Sequence, residues 1–317
     1  MPSRFEAVEE QQRKLPAMTA ISGGEGCEVA VESVESSLGR WIFAQWSPTA
    51  ASPLFSLIAR IWYFDGAMTQ SKERVFPNGA SELIVMLDEP HRDGDDAMLA
   101  PFPAVCINGL RTRPAVVVAP PGRCRVLGIT FAPMGAYIFL RSGMKDLVDV
   151  TIDLRAALGK ASDELGERCL AAAQTYAWNE RGNGIAAVKA AAGWTLKHIG
   201  DLQAERVMLS AAQAILNSRG VVSLDALGTA LGLSRARFAT RFRNRTGLTP
   251  KHFARIVRFD SALSLLGKTN DIARVAAELE YYDQAHMYRD FGEFAGMTPG
   301  AFLSGPRYPG SASLAES

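Results

Sequence analysis

The sequence predicts an α+β protein of two domains: a β-rich N-terminal domain, either an antiparallel sheet or a small barrel, then a helical connector, then an all-α C-terminal domain with two helix-turn-helix units. Three observations predict it. Short apolar runs separated by turn residues fill residues 29–152, Ala-rich text of helical periodicity fills 153–202, and residues 203–303 carry one helical pattern twice. A chain of 317 residues has room for two domains of ordinary size.

Residues 1–28 are polar, with Ser22-Gly23-Gly24-Glu25-Gly26 near their end, and are expected to be a loose arm. From Val29 onward the apolar runs Phe55–Phe64, Leu83–Leu87, Val105–Ile107, Ala115–Ala119 and Val126–Phe131 read as strands. Pro77-Asn78-Gly79, Glu89-Pro90, Asn108-Gly109, Pro120-Pro121-Gly122 and Ala132-Pro133 punctuate them as turns. Asp93-Gly94-Asp95-Asp96 reads as an exposed acidic loop without the later ligands of a calcium loop. Glu82 and Arg111 stand beside apolar strands, where they either pair with each other or line a pocket. Trp41, Trp46, Trp62 and Phe64 have the same two readings, core or pocket wall.

In residues 153–202 the stretches Leu154–Leu158, Leu165–Tyr176 and Ile185–Ile199 repeat apolar residues at helical intervals, and Gly182-Asn183-Gly184 is expected to interrupt them. The segment suits a connector, a dimer-forming helical pair or a packed hairpin.

Residues 203–303 are the most informative. Gln203–Asn217 is amphipathic, with Val207, Ala211, Ala214, Ile215 and Leu216 expected inward, and Arg219-Gly220 ends it. Ser223 caps a helix carrying Leu224, Leu227 and Leu231; after Gly232-Leu233, Ser234 caps a second, with Phe238 and Phe242 on one face. Asp271, Ile272, Val275 and Leu279 repeat the first helix 48 residues later. One extra residue in the turn makes the offset 49, whereupon Asp283 matches Ser234 and Met287 matches Phe238. Five positions are then identical: Phe242/Phe291, Gly247/Gly296, Thr249/Thr298, Pro250/Pro299 and Phe253/Phe302. The units span 223–247 and 271–296, with a long apolar helix from His252 to Leu266 between them. Residues 304–317 are expected to be a disordered tail.

Overall charge says nothing about partners, because the net charge is only +1. Local charge does. Ser234–Arg258 holds eight bases in 25 residues (Arg235, Arg237, Arg241, Arg243, Arg245, Lys251, Arg255 and Arg258) and no acid, a patch suited to a polyanion. Phe238 and Phe242 point inward, so the opposite face of the same helix carries the candidate DNA contacts.

The duplicated units and the text D-I-A-R-V-A-A-E-L-E-Y-Y-D-Q-A-H-M-Y-R-D-F resemble the DNA-binding domain of the AraC/XylS family of bacterial transcription regulators. The resemblance covers residues 203–303. It implies two recognition helices in adjacent stretches of the major groove of double-stranded DNA. By position, the first presents Arg235, Ala236, Ala239 and Thr240, with Arg243 nearer the backbone, and the second presents Gln284, Ala285, Tyr288 and Arg289. The family often has Arg where Thr240 stands and Gly where Glu280 stands. P-x-G-x-x-E-L from Pro77 to Leu83 and G-x-x-F-x-P-x-G from Gly128 to Gly135 resemble a β-rich regulatory domain of some members, whose implied role is sensing a small-molecule effector, dimerisation or both. RNA polymerase is the further partner implied for an activator.

No cofactor or metal is implied. Cys27, Cys106, Cys124 and Cys169 form no CxxC pair, and His91, His198, His252 and His286 have no metal-type spacing. With no signal peptide and no apolar stretch near the roughly 20 residues that span a bilayer, a cytoplasmic protein is expected. The alternative is a DNA-targeted enzyme, such as an alkyl-transfer repair protein using a cysteine; no Ser-His-Asp order, phosphate loop or HExxH occurs to extend it.

Overall fold

A computed structural model describes residues 19–22, 26–94, 100–176, 181–199, 205–306 and 313–316. In chain order the strands are β1 (Thr19–Ser22), β2 (Cys27–Ser36), β3 (Gly39–Pro48), β4 (Ile58–Met68), β5 (Lys72–Val75), β6 (Glu82–Met86), β7 (Arg92–Asp93), β8 (Val105–Asn108), β9 (Ala115–Val118), β10 (Arg123–Phe131), β11 (Thr151–Asp153) and β12 (Leu314–Glu316). They form an eight-stranded sheet, β1-β2-β3-β4-β10-β6-β8-β11, and a four-stranded sheet, β12-β5-β9-β7. Every strand pairing among the described residues is antiparallel, as the closely spaced turn signals require.

Alternation divides the large sheet into two faces. Ile61 and Tyr63 of β4, Leu83 and Val85 of β6, and Leu127 and Ile129 of β10 point to one side and are fully buried. Helices cover that side: α1 (Gly135–Leu140), α2 (Leu154–Leu158), α3 (Lys160–Ala172) and α4 (Arg181–His198) contribute Ile138, Leu154, Leu165, Ala187, Val188 and Trp194 to the same core. Burying each large apolar side chain there is worth about 1.5–3 kcal/mol. The opposite face is aromatic: Phe43 stacks on Trp62 at 6.2 Å, Trp41 tilts against Phe64 at 6.0 Å, and Ala315 of β12 packs beside Trp41.

Of the three readings open for residues 153–202, the structure has the packed hairpin: α3 and α4 pack on each other, and their apolar faces complete the sheet's core. Three expectations are corrected. Gly182-Asn183-Gly184 lies inside the first turns of α4, where buried Asn183 both accepts from Tyr176 N–H and donates to its carbonyl; the interruption falls earlier, after α3. Thr19–Ser22, within the expected arm, pair with β2, while residues 1–18 and 23–25 lie outside the described residues. The expected disordered tail contains β12, which pairs with β5 because Leu314 and Ala315 are apolar and become buried against two different cores.

The C-terminal helices are α5 (Arg206–Asn217), α6 (Leu224–Ala230), α7 (Arg235–Thr246), α8 (Pro250–Thr269), α9 (Ile272–Glu278), α10 (Gln284–Phe294) and α11 (Pro299–Ser304). In α5 the buried stripe is Met208, Ala211, Ala212 and Ile215; Val207, expected inward, is 47% exposed, one position out of phase with the stripe. The helical core is continuous with the sheet domain, since Phe76, Leu110 and Met134 join it. Phe76 meets Phe259 edge-on at 6.4 Å and Phe302 at 6.1 Å. Gly79 turns the chain with φ +75° so closely over α8 that a Cβ there would lie 3.3 Å from Val257. Both motifs of the β-rich domain therefore end at this joint, Pro77–Leu83 through the Phe76–Gly79 turn and Gly128–Gly135 through Met134.

Removing the Phe76 ring should cost about 3 kcal/mol at the joint. Phe76→Ala is expected to split a single calorimetric transition into two; an unsplit, unshifted transition contradicts the shared core. At the same joint the half-buried carboxyl of Asp260 of α8 is pushed up to about 7 by its desolvation, while Arg60 pulls it back. That value lies above the unfolded one of about 3.9. The proton is thus held preferentially by the folded state, and the stability it confers is present at low pH and lost as pH rises through about 7. Asp260→Asn should flatten the fall in Tm between about pH 4 and 7; an unchanged slope contradicts it.

Candidate nucleic-acid interface

Each unit is built by the same local chemistry. Ser223 and Asp271 cap α6 and α9 by accepting from Ala226 N–H (3.2 Å) and Arg274 N–H (2.9 Å). Ser234 and Asp283 cap α7 and α10 by accepting from Arg237 N–H (3.4 Å) and His286 N–H (2.6 Å). Thr249 and Thr298 then cap α8 and α11, each followed by proline at the first helical position. The rings repeat as well: Phe242 packs on Phe253 at 5.4 Å as Phe291 packs on Phe302 at 6.3 Å.

The duplication differs in its turns. Gly232 has φ +68° and its counterpart Glu280 has φ +51°, so a glutamate occupies a left-handed position that favours glycine. The extra residue of the second turn is Tyr282, which is 93% exposed.

Phe238, Phe242 and Thr246 fasten α7 to the core, and Met287, Asp290, Phe291 and Phe294 fasten α10. The predicted contact residues come out on the opposite faces. Arg235, Ala236, Thr240 and Arg243 are exposed and Ala239 is half-buried; Gln284, Ala285, Tyr288 and Arg289 are exposed. Each helix brings its own set together, and the docked sheet domain leaves both sets accessible. His286 is half-buried with its ring edge-on to Tyr281 at 5.2 Å, a packed histidine.

The basic run is smaller than its sequence suggests. Arg245 pairs with Glu205 and lies 5.6 Å over the Tyr137 ring. Arg255 bridges Asp290 (2.7 Å) and Glu293 (2.6 Å) and covers Phe294. Arg258 donates to the Gly220 carbonyl (3.1 Å) and covers Tyr281. These three hold the helices together rather than facing solvent as free charges. Arg235 makes only an exposed pair with Asp225 at 3.6 Å. Arg237, Arg241, Arg243 and Lys251 are exposed and form no ion pair with a described residue. Arg237, counted in the basic patch but not among the contact residues, is one such free base on the outward side of α7, away in helical phase from Phe238 and Phe242.

The second unit is poorer in charge. Gly292 occupies the position of Arg243, and nothing lies within 4 Å of where its Cβ would be. Arg289 is the exposed base of α10, and the turn that precedes the helix carries the acids Glu280 and Asp283.

Two protein-family models match the chain: a helix-turn-helix domain over residues 227–305 and a domain of unknown function, DUF6597, over residues 48–153. No curated protein matches it. Among solved structures it is similar to ToxT from Vibrio cholerae O395, with 11% identity, 76% of this chain and 95% of that one covered, and a TM-score of 0.41. It is also similar to the AraC-like transcriptional activator CuxR, with 14% identity, coverage of 79% and 88%, and a TM-score of 0.18. These whole-chain likenesses are loose, whereas the helix-turn-helix match falls on the duplicated helices described above.

Replacing Glu280 by glycine should relieve the left-handed strain and raise stability by about 0.5–1 kcal/mol, net of the greater freedom of the unfolded chain. Chemical denaturation of Glu280→Gly checks this; a midpoint below that of the parent contradicts it.

Proposed function

We propose that residues 227–305, which match a helix-turn-helix family model, are a DNA-binding domain of the AraC type, and that this chain regulates transcription by holding DNA mainly with its first unit and choosing the sequence mainly with its second. One observation carries the division of labour. Arg237, Arg241, Arg243 and Lys251 are exposed and uncommitted around α7, whereas α10 offers a single free base, Arg289, among groups that can read base edges.

Arg235 and Arg243 flank a shallow α7 face of Ala236, Ala239 and Thr240, which lets the helix approach the groove while arginines meet phosphates. Gln284 and Arg289 carry side chains suited to bidentate readout of adenine and guanine, Tyr288 adds an apolar surface for a thymine methyl, and Ala285 leaves room for them. The sheet domain is the regulatory half, through an effector or through self-association. Its joint with α8 gives any change in it a mechanical route to both units.

A binding protein rather than an enzyme suits the thiols. Burial pushes Cys106, Cys124 and Cys169 up to about 12, so near neutral pH they hold their protons, and a methyl-accepting cysteine needs the thiolate. Arg123 and Arg125, which flank Cys124, are committed to Asp65 and Asp88.

Sequence selection by the full chain from random duplexes, followed by binding titrations, tests the reading. Arg289→Ala should lose about 1–3 kcal/mol of discrimination at one base step. Arg243→Ala should weaken every duplex alike and lower the salt slope by about 0.9. Selection yielding no preferred sequence, or the two variants behaving alike, defeats it.

A further inference from the structure

Between β7 and β9 of the small sheet and the edge strand β11 of the large one lies a cavity of about 260 Å³. Phe102, Val116 and Val150 give it apolar walls, Thr151 and the acids Asp93 and Asp149 add polar ones, and the guanidinium of Arg111 stands among them. Arg111 is half-buried and makes no ion pair or hydrogen bond with any described residue. Nor does it pair with Glu82, which instead accepts from the Thr130 hydroxyl at 2.7 Å.

Asp149 is the neighbour best placed to neutralise it, and Asp149 is engaged elsewhere. Its carboxylate accepts from Thr112 N–H (2.7 Å) and from the Thr112 hydroxyl (2.5 Å), and its own N–H donates to the Leu110 carbonyl (3.0 Å). To make these bonds Asp149 adopts φ +58°, a left-handed conformation that costs an aspartate energy. The chain on either side of Arg111 is thereby clamped while the guanidinium stays unpaired. A half-buried cation without an ion-pair partner is only partly solvated, and five N–H donors in a fixed fork match a carboxylate. Glu82, Asp93 and Asp149 sustain the charge of Arg111 from a distance, while burial opposes it.

We propose that this cavity binds a small organic carboxylate, its two oxygens on Arg111 and its apolar body against Phe102, Val116 and Val150. The Asp149–Thr151 wall continues directly into Met144–Val148, on which the end of α7 rests. Met144 N–H donates to the Asn244 carbonyl at 3.3 Å, and a Cβ on Gly247, the left-handed C-cap of α7, would lie 2.5 Å from Val148. An occupant pressing on Val150 is therefore one short segment from the first recognition helix. This second half of the inference rests on the DNA-binding reading; the first half does not.

Titration of the full chain with hexanoate and benzoate, beside hexanamide, benzamide and hexylamine, separates the two. Saturable binding of at least one acid is expected, with the matching amide at least tenfold weaker, since a charge-assisted bidentate pair is lost. Arg111→Gln should weaken the acid at least tenfold, and Val150→Trp, at a partly exposed position that tolerates a larger side chain, should block it without touching Arg111. Neither acid binding, amides or the amine binding as tightly, or both variants retaining affinity overturns the site. The acid should also shift the affinity for a selected duplex at least threefold. An unshifted affinity overturns the link to α7 alone, and the absence of any selected duplex overturns the DNA-binding reading while leaving the site standing.

Discussion

The arrangement of this molecule depends on one helix being packed on nearly all sides. Phe253, Ile256, Val257, Phe259, Leu263 and Leu266 of α8 are buried, too many and too spread around the helix for a single apolar stripe. One part of that surface joins the first helix-turn-helix unit, another joins the second, and a third receives Phe76 and the Gly79 turn of the sheet domain. The relative setting of the two recognition helices is thus fixed by a rod about 30 Å long, at 1.5 Å per residue, rather than by a flexible linker. Whatever alters the sheet domain's hold on the rod acts on both units together.

Arginine serves two ends within one short stretch, and burial decides between them. Asp290 is 1% exposed, so the second unit needs a cation beside it; Arg255 supplies one from α8 and is lost to any phosphate. Arg245 and Arg258 are likewise tied to Glu205 and to the Gly220 carbonyl. What remains free clusters on α7, and that asymmetry separates two units whose backbones are near copies.

Much of the helical half was legible in the sequence because its determinants are local. Caps act within three residues, apolar periodicity within four, and an internal duplication checks each assignment against its counterpart. The nine contact residues come from the resemblance to the AraC/XylS family, and helical phase agrees with them: eight are exposed and Ala239 is half-buried. Val207 shows the limit: two adjacent apolar positions at the start of α5 compete for one stripe, and Met208 wins by packing that no window of residues contains. The same holds for Arg245, Arg255 and Arg258, whose partners lie far along the chain or across the fold, so a tally of charge counts them as free. In the sheet domain the strands were legible and the layers were not. Whether residues 153–199 connect or cover depends on whether their apolar faces meet Ile61 and Leu127, a long-range fact.

The pairing of β12 with β5 has a kinematic consequence. The helices from Arg206 to Ser304 leave the sheet domain after α4 and return to it through the last strand, so they are suspended at two points rather than hung from one. A body held at two points pivots about the line between them instead of swinging freely. Separation at Phe76 would therefore leave the helical domain tied to the sheet domain through β12 and the Met144–Val148 contact, and re-closure would remain an intramolecular step.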